Sequence, residues 1–302
     1  MKVLVTGGAG FIGSHVVDAL VAAGAQVHAV DNLSSGRVDN LAGALEGGAQ
    51  LHTADVTDEL AIARLTAAVH PEVILHLAAH IDARRSVDEP AFDARVNVAG
   101  TAAILEAARR TGARRVVLAS TAAVYGKPDR LPTPEAAELR PINPYGASKA
   151  AAESYLALYG RLHGLSTLAF RMANVYGPRQ DPHGESGVVA IFTGAATEGR
   201  AVTIHGDGRQ TRDYVHVDDV AAAFLLATAS TVTGVLNIAT GRETSVLELA
   251  AAIGVDVLHG PPRAGEIARS CLDPSAAARA IAWQARTQIS AGLTGLRPPV
   301  AA

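Results

Sequence analysis

The run Lys2-Val-Leu-Val-Thr-Gly-Gly-Ala-Gly-Phe-Ile-Gly13 limits the possible folds more than any other stretch of this chain. A short β-rich apolar segment leads straight into glycines at 7, 10 and 13, and a helical pattern follows over Gly13–Ala23. A strand, a tight turn and a helix in that order turn backbone N–H groups and the positive helix end towards one anion, with no side chain in the way. A glycine turn that serves only packing is the alternative. Against it stands Asp31 at the end of the next β-rich run, 18 residues past Gly13, where a carboxylate meets a ribose diol. That carboxylate repels a 2′-phosphate and accepts from a free 2′-hydroxyl, so NAD is favoured over NADP, with Arg37 nearby as the contrary feature.

β-rich runs over Gln26–Val30, Gln50–Thr53, Val73–Leu77, Arg115–Ala119 and Thr167–Arg171 alternate with helical spacing over Leu60–Val69, Phe92–Arg110 and Ala147–Leu158. Near-continuous apolar strands separated by helices predict an α/β fold: a Rossmann-type doubly wound parallel sheet covered on both faces. After Arg171 the regularity gives way to Gly/Pro-rich connections, a helix from Val217, a strand Val235–Ile238 and a helix over Ser245–Ile253. We therefore expect an NAD-binding unit over residues 1–171, completed by about 214–240. A smaller, mainly C-terminal substrate-binding lobe takes 172–213 and 241–302, with 296–302 as a frayed tail.

With 302 residues, 49% of them hydrophobic, the chain can bury a large core. A net charge of −3 gives no broad attraction to nucleic acid or to an anionic membrane, so neither is expected as a partner. The single Cys271 excludes an internal disulfide framework and a cysteine metal site. No segment approaches 18 apolar residues, and the expected location is cytoplasmic. His76 and His80 have i,i+4 spacing but fall on a strand and the loop after it, so no metal is expected there.

Tyr145 and Lys149 lie four positions apart at the start of a helical run, which puts a phenol and an ammonium on one face. A phenol with a pKa near ~10 is a poor base at neutral pH, and lowering it by ~3 units takes about 4 kcal/mol of differential stabilisation. Lys149 and a positive nicotinamide ring together can supply that. Thr121, just after a strand, offers a hydroxyl to the same substrate oxygen. Asp55-Val56, after the third strand, suits either the flank of an adenine or the cap of the following helix.

Several motifs together carry a family resemblance: the glycine motif, Leu77-Ala78-Ala79, Asn97 in Val-Asn-Val-Ala-Gly-Thr, Ser120-Thr121, the Tyr-x-x-x-Lys pair and Arg171-Met-Ala-Asn-Val-Tyr-Gly-Pro178. From Lys2 to about Trp283 the chain resembles an extended short-chain dehydrogenase/reductase, of the NAD-dependent epimerase/dehydratase type. Within that family, Ile81–Val87 and Gly177–Glu185 are similar to segments of bacterial, actinobacterial-type UDP-glucose 4-epimerases.

The resemblance implies a reversible C4 epimerisation of a UDP-hexose, UDP-galactose to UDP-glucose, through a 4-keto sugar and a tightly held NAD. Tyr145 would be the base, Thr121 its hydrogen-bonding partner, and Lys149 both a ribose ligand and the group that lowers the Tyr145 pKa. Beside Gly7, Gly10, Gly13 and Asp31, the cofactor would touch Phe11, Ile12, Asn32, Asp55 and Val56, and then Leu77, Ala78, Ala79, Asn97 and Ser120. Asn174, Arg212 and Arg263 would hold the sugar-nucleotide diphosphate, the arginines because a planar fork matches phosphate oxygens; surface solvation is their plain alternative. Val189 and His205 would line the nucleotide end, although His205 reads almost as well as a turn residue. The family also implies a homodimer through the Phe92–Arg110 and Ala147–His163 helices.

Two departures matter. Dehydratases of the family carry an Asp-Glu pair directly after the catalytic threonine, where this chain has Ala122-Ala123, so dehydration lacks its acid and base. Ser270 stands where some epimerases carry a bulky tyrosine, which leaves room for an N-acetyl group and extends the range to UDP-GlcNAc or UDP-GalNAc. Arg84 or Arg85 near the sugar would instead favour UDP-glucuronate, although basic doublets are usually solvated. A non-catalytic NAD-sensing protein is the remaining class, and it has no need of Tyr145, Lys149 and Thr121 together.

Overall fold

The computed structural model describes residues 1–182, 187–262 and 267–296. Its centre is a seven-stranded parallel sheet: β1 (Lys2–Thr6), β2 (Gln26–Asp31), β3 (Gln50–Thr53), β4 (Val73–His76), β5 (Arg115–Thr121), β6 (Ser166–Met172) and β7 (Gly234–Ile238). The spatial order is β7-β6-β5-β4-β1-β2-β3, so the chain reverses direction of travel between β1 and β4. Register places Thr6 opposite both Val30 and His76, and His76 opposite Leu118. The carboxyl ends of β1, β4 and β5 therefore open on one edge, where a doubly wound sheet leaves its binding crevice.

Helix α1 (Phe11–Ala22) lies on one face together with α6, which spans Val217–Ala229; α2 (Glu59–Val69), α3 (Gly100–Thr111) and α4 (Pro144–His163) lie on the other. Strands buried on both faces have no solvent side to keep polar, which is why β4 and β5 read as unbroken apolar runs. A third cluster joins Tyr176, Phe192, Ile204, Tyr214 and Leu249 around α5 (Val188–Thr197) and α7 (Val246–Ile253). Leu272, Ala277, Ile281 and Trp283 pack instead on the core of the main sheet, where the Trp283 Nε1–H donates to the Asp219 carbonyl.

Local signals place the helix ends. Asp58 accepts from the Ala61 amide at the start of α2, Asn143 accepts from the Gly146 amide at the start of α4, and Ser245 with Glu248 forms a capping box on α7. The helix expected over Phe92–Arg110 runs from Pro90, and it is not uniform: Arg95–Ala99 forms a π turn between the α-helical Pro90–Ala94 and α3. The extra residue turns Asn97 inward, where it is buried and fully engaged.

Candidate active site

The glycine turn is a cradle made of backbone. Gly7 has φ +68°, and a Cβ there would lie 2.7 Å from the Ala78 amide nitrogen, so the turn presses against the loop after β4. A Cβ on Gly13 would lie 1.9 Å from the Gly7 carbonyl oxygen, so α1 approaches the turn only because that position is glycine. Gly10 is the N-cap and no side chain caps α1, which leaves the first-turn amides at Phe11 and Ile12 for an anion.

Asp31 is buried with its carboxylate accepting from the Ala9 amide at 3.0 Å and the Leu33 amide at 2.8 Å. It fastens the glycine turn to the loop beside it. Asn32 donates to Asp55, whose carboxylate also accepts from the amide and hydroxyl of Thr57. Burial works to raise Asp55, but these hydrogen bonds and the charge of Arg95 outweigh it and hold the carboxyl below its ordinary range. Asp55 does not cap the next helix; Asp58 does. Val56 is buried against a Gly100 that has no side chain to displace it. The Arg37 guanidinium is turned towards Asp181 rather than Asp31.

At the carboxyl end of β5 the Thr121 hydroxyl oxygen accepts from the Ala123 amide at 3.1 Å and hydrogen-bonds the Tyr145 phenol. Tyr145 and Lys149 share the first turns of α4, and Lys149 is 3% exposed. Their charge states differ from the sequence expectation. Burial pushes the Tyr145 phenol up to about 12, the Thr121 hydrogen bond opposes it, and the charge of Asp93 adds to it. Lys149 is not among the groups that lower Tyr145. Its own ammonium is pulled down to about 8 by burial, against Glu153 and Asp93. In a desolvated pocket loss of solvation exceeds the effect of one cation.

Behind this pair lies a polar layer. Glu153, four positions after Lys149, accepts both arms of the Arg171 guanidinium and the Ser120 hydroxyl. Arg171 also donates to the Tyr125 oxygen, and that hydroxyl donates to Asn237. Asn97 on the π turn exchanges hydrogen bonds with the backbone of His80 and donates towards Ser148 and Asp93. His76 is held between the hydroxyls of Thr6 and Thr101, and burial pulls its imidazole down to about 3. Leu77, Ala78 and Ala79 form the partly exposed loop after β4, and the Ala78 amide donates to Thr6.

The positions expected to hold a sugar nucleotide are more scattered. Asn174 begins a strand, Asn174–Tyr176, that pairs with Tyr214–His216, and its amide donates to the Asp213 carbonyl. Arg212 is partly buried on Thr211–Arg212, which pairs with Thr244–Ser245. Asp213 anchors that strand: its carboxylate accepts from the amides of Thr240 and Gly241 and from the Thr240 hydroxyl. His205 ends the strand Val202–His205 and bonds the Pro261 carbonyl. The side chain of Val189 is 1% exposed in the third cluster, so it is core and not lining; only its first-turn amide on α5 is left for a ligand. Arg85 is locked to Glu89 and lies over Phe92, while Arg84 stands exposed in the loop. Arg263 lies outside the described residues.

Sequence reasoning passed over Glu153, Asp93 and His80. Glu153 carried a signal, since it continues the Tyr145–Lys149 stripe at the helical period. Asp93 carried none, because only the tertiary packing of Pro90–Ala94 on α4 brings it to Lys149.

The NAD dependent epimerase/dehydratase family profile matches residues 3–239. A UDP-glucose 4-epimerase of Mycolicibacterium smegmatis is 48% identical over 97% of this chain and 96% of its own length. The crystal structure of a UDP-glucose 4-epimerase with UDP-glucose from Thermotoga maritima is 43% identical, with a TM-score of 0.94 over 98% of this chain and 97% of that one. A Thermus thermophilus UDP-glucose 4-epimerase in complex with NAD is 39% identical, with a TM-score of 0.92 over 99% of this chain and 100% of that one.

Proposed function

The chain belongs to the NAD dependent epimerase/dehydratase family, and from that premise we propose that it is a UDP-glucose 4-epimerase, interconverting UDP-galactose and UDP-glucose. The observation that carries this reading is the Thr121–Tyr145 hydroxyl pair beside buried Lys149, at the carboxyl edge of β5 and next to the glycine cradle.

The cradle fits a dinucleotide, because side chains at Gly7 and Gly13 would collide with backbone and the first turn of α1 is uncapped. Gly7, Gly10, Phe11, Ile12 and Gly13 would hold the pyrophosphate, Asp31 and Asn32 the adenosine ribose, and Asp55 with Val56 the adenine. Leu77, Ala78, Ala79, Asn97 and Ser120 would flank the nicotinamide end, with Tyr145 and Lys149 on its ribose. Bound NAD supplies a hydride acceptor that takes hydride from C4 of the sugar and returns it to the other face.

The protein moves the proton. Tyr145 Oη takes it from the 4-hydroxyl and gives it back, and Thr121 Oγ1 holds the same oxygen in place. Without added positive charge the protein keeps Tyr145 protonated at neutral pH, so Lys149 must be an ammonium for the base to form. Asn174, Arg212, Arg263, His205 and the Val189 amide would hold the nucleotide while the sugar turns. In this reading residues 1–171, completed by about 214–240, carry the cofactor, and 172–213 with 241–302 carry the substrate.

Ser270 favours a second substrate class. Its amide donates to the Thr211 carbonyl next to Arg212, and its small side chain leaves space for the N-acetyl group of UDP-GalNAc. The Arg85–Glu89 pair argues against a uronate, because that guanidinium is already engaged. The reading includes a homodimer, supported by exposed Tyr155, Leu158 and Leu162 on α4, and a cytoplasmic location in keeping with the buried free thiol of Cys271.

The test is to incubate the purified protein separately with UDP-galactose, UDP-GalNAc and UDP-galacturonate and follow C4 epimers by NMR. We expect UDP-glucose from UDP-galactose, and none from the Tyr145→Phe protein. Failure to convert any of the three, with NAD added, would overturn the assignment for these sugars.

A further inference from the structure

Two buried carboxylates act on Lys149, and their surroundings differ. Glu153 is held by Arg171, a cation that does not deprotonate, so its charge is cancelled at every working pH. Asp93, 1% exposed on the Pro90–Ala94 turn, has no arginine or lysine paired with it among the described residues. Its ionisable partner there is His80, with Nδ1 2.9 Å from Asp93 Oδ1. Asn97 adds a neutral hydrogen bond to the same oxygen at 3.1 Å. Asp93 Oδ2 and His80 Nε2 are both buried without a hydrogen-bond partner.

The charge near Lys149 therefore depends on one proton. With His80 neutral, Asp93 presents a whole negative charge to the pocket; with His80 protonated, the pair is neutral overall. In a poorly solvated site such a difference reaches a neighbouring ammonium. We propose that His80 and Asp93 form a charge-setting pair for Lys149, in which Asp93 holds Lys149 as an ammonium and His80, on gaining a proton, withdraws that support. Asp93 acts on Tyr145 in the opposite sense, since it opposes ionisation of the phenol.

The groups around the pair are accounted for. His80 meets Asp93, the edge of Phe92 at 5.2 Å and the charge of Glu89, which is itself held by Arg85; Arg85 and Arg95 lie over the Phe92 ring. Lys149 meets Glu153, Asp93 and the neutral His76. Both residues are positioning residues. The functional meaning of the inference rests on Lys149 belonging to the proposed catalytic pair, but the ionisation itself can be measured whether or not the protein epimerises a sugar.

The chain has three lysines, Lys2, Lys127 and Lys149. Protein labelled with lysine 13Cε, as purified, gives three signals to titrate, assigned with Lys2→Arg and Lys127→Arg. In Asp93→Asn, whose carbonyl oxygen still accepts from His80 and Asn97, we expect the Lys149 midpoint to fall by roughly one pH unit. The parent Lys149 signal should also show a smaller inflection at the pH where the His80 ring titrates, absent in His80→Gln. An unchanged midpoint in folded Asp93→Asn, or in Asp93→Ser should the first variant not fold, overturns the role of Asp93. An inflection that persists in His80→Gln overturns the role of His80.

Discussion

Tyr145 joins a poor base to a demanding position. Its phenol, up at about 12, keeps its proton in the protein alone, so removing the hydroxyl should stop proton transfer while leaving the fold untouched. We expect Tyr145→Phe to lower kcat by about 10³-fold with little change in thermal stability, read by steady-state kinetics and a melting curve. Glu153 and Arg171 give the contrasting case. Each is buried with its charge satisfied by the other, so Arg171→Met strands a carboxylate and should cost about 3–5 kcal/mol in urea unfolding. A loss below about 1 kcal/mol would mean that water reaches Glu153. The Tyr-x-x-x-Lys spacing and Thr121 were legible because their periodicities are local, whereas the partners that set their charges come from distant segments.

The elements were legible wherever one physical pattern governed them. Apolar runs located all seven central strands to within two residues at either end, because a strand buried on both faces has little freedom of composition. The π turn at Arg95–Ala99 was not, since helical spacing shows a break of one residue only once the partners of Asn97 are known. Val189 was misread for a related reason: a valine at a helix start looks the same whether it faces a ligand or a core. At the glycine turn the chain leaves no such ambiguity. Gly13→Ala would place a methyl 1.9 Å from the Gly7 carbonyl oxygen, so α1 must back away from the turn. NAD that copurifies with the parent should be missing from this variant, as read from the 260 to 280 nm absorbance ratio.

Across the whole molecule, acid should act through buried imidazoles. His76 is neutral in the folded chain, held down to about 3 from an ordinary 6.5. Its pKa is lower folded than unfolded, so its contribution is whole above about pH 6.5 and is lost as pH falls towards 3, amounting to about 4–5 kcal/mol by then. His28 and His52, stacked with their ring nitrogens 3.0 Å apart, are lowered by burial first and act in the same sense. Unfolding midpoints at pH 7 and pH 4 should differ less in His76→Gln than in the parent; an equal difference would assign the acid loss elsewhere. Leu162, 65% exposed on α4, tests the dimer: Leu162→Glu should give a monomer by light scattering, and an unchanged mass would place the interface on another surface.

The π turn sets a rule about chain length. Between Pro90 and Thr111 the chain carries one residue more than an unbroken α-helix would use to reach the same end, and that surplus turns Asn97 towards both the loop after β4 and α4. Many side chains along this stretch can change at modest cost, but the number of residues cannot. Deleting a single exposed residue there would swing Asn97 by about 100° and detach two segments of the pocket at once.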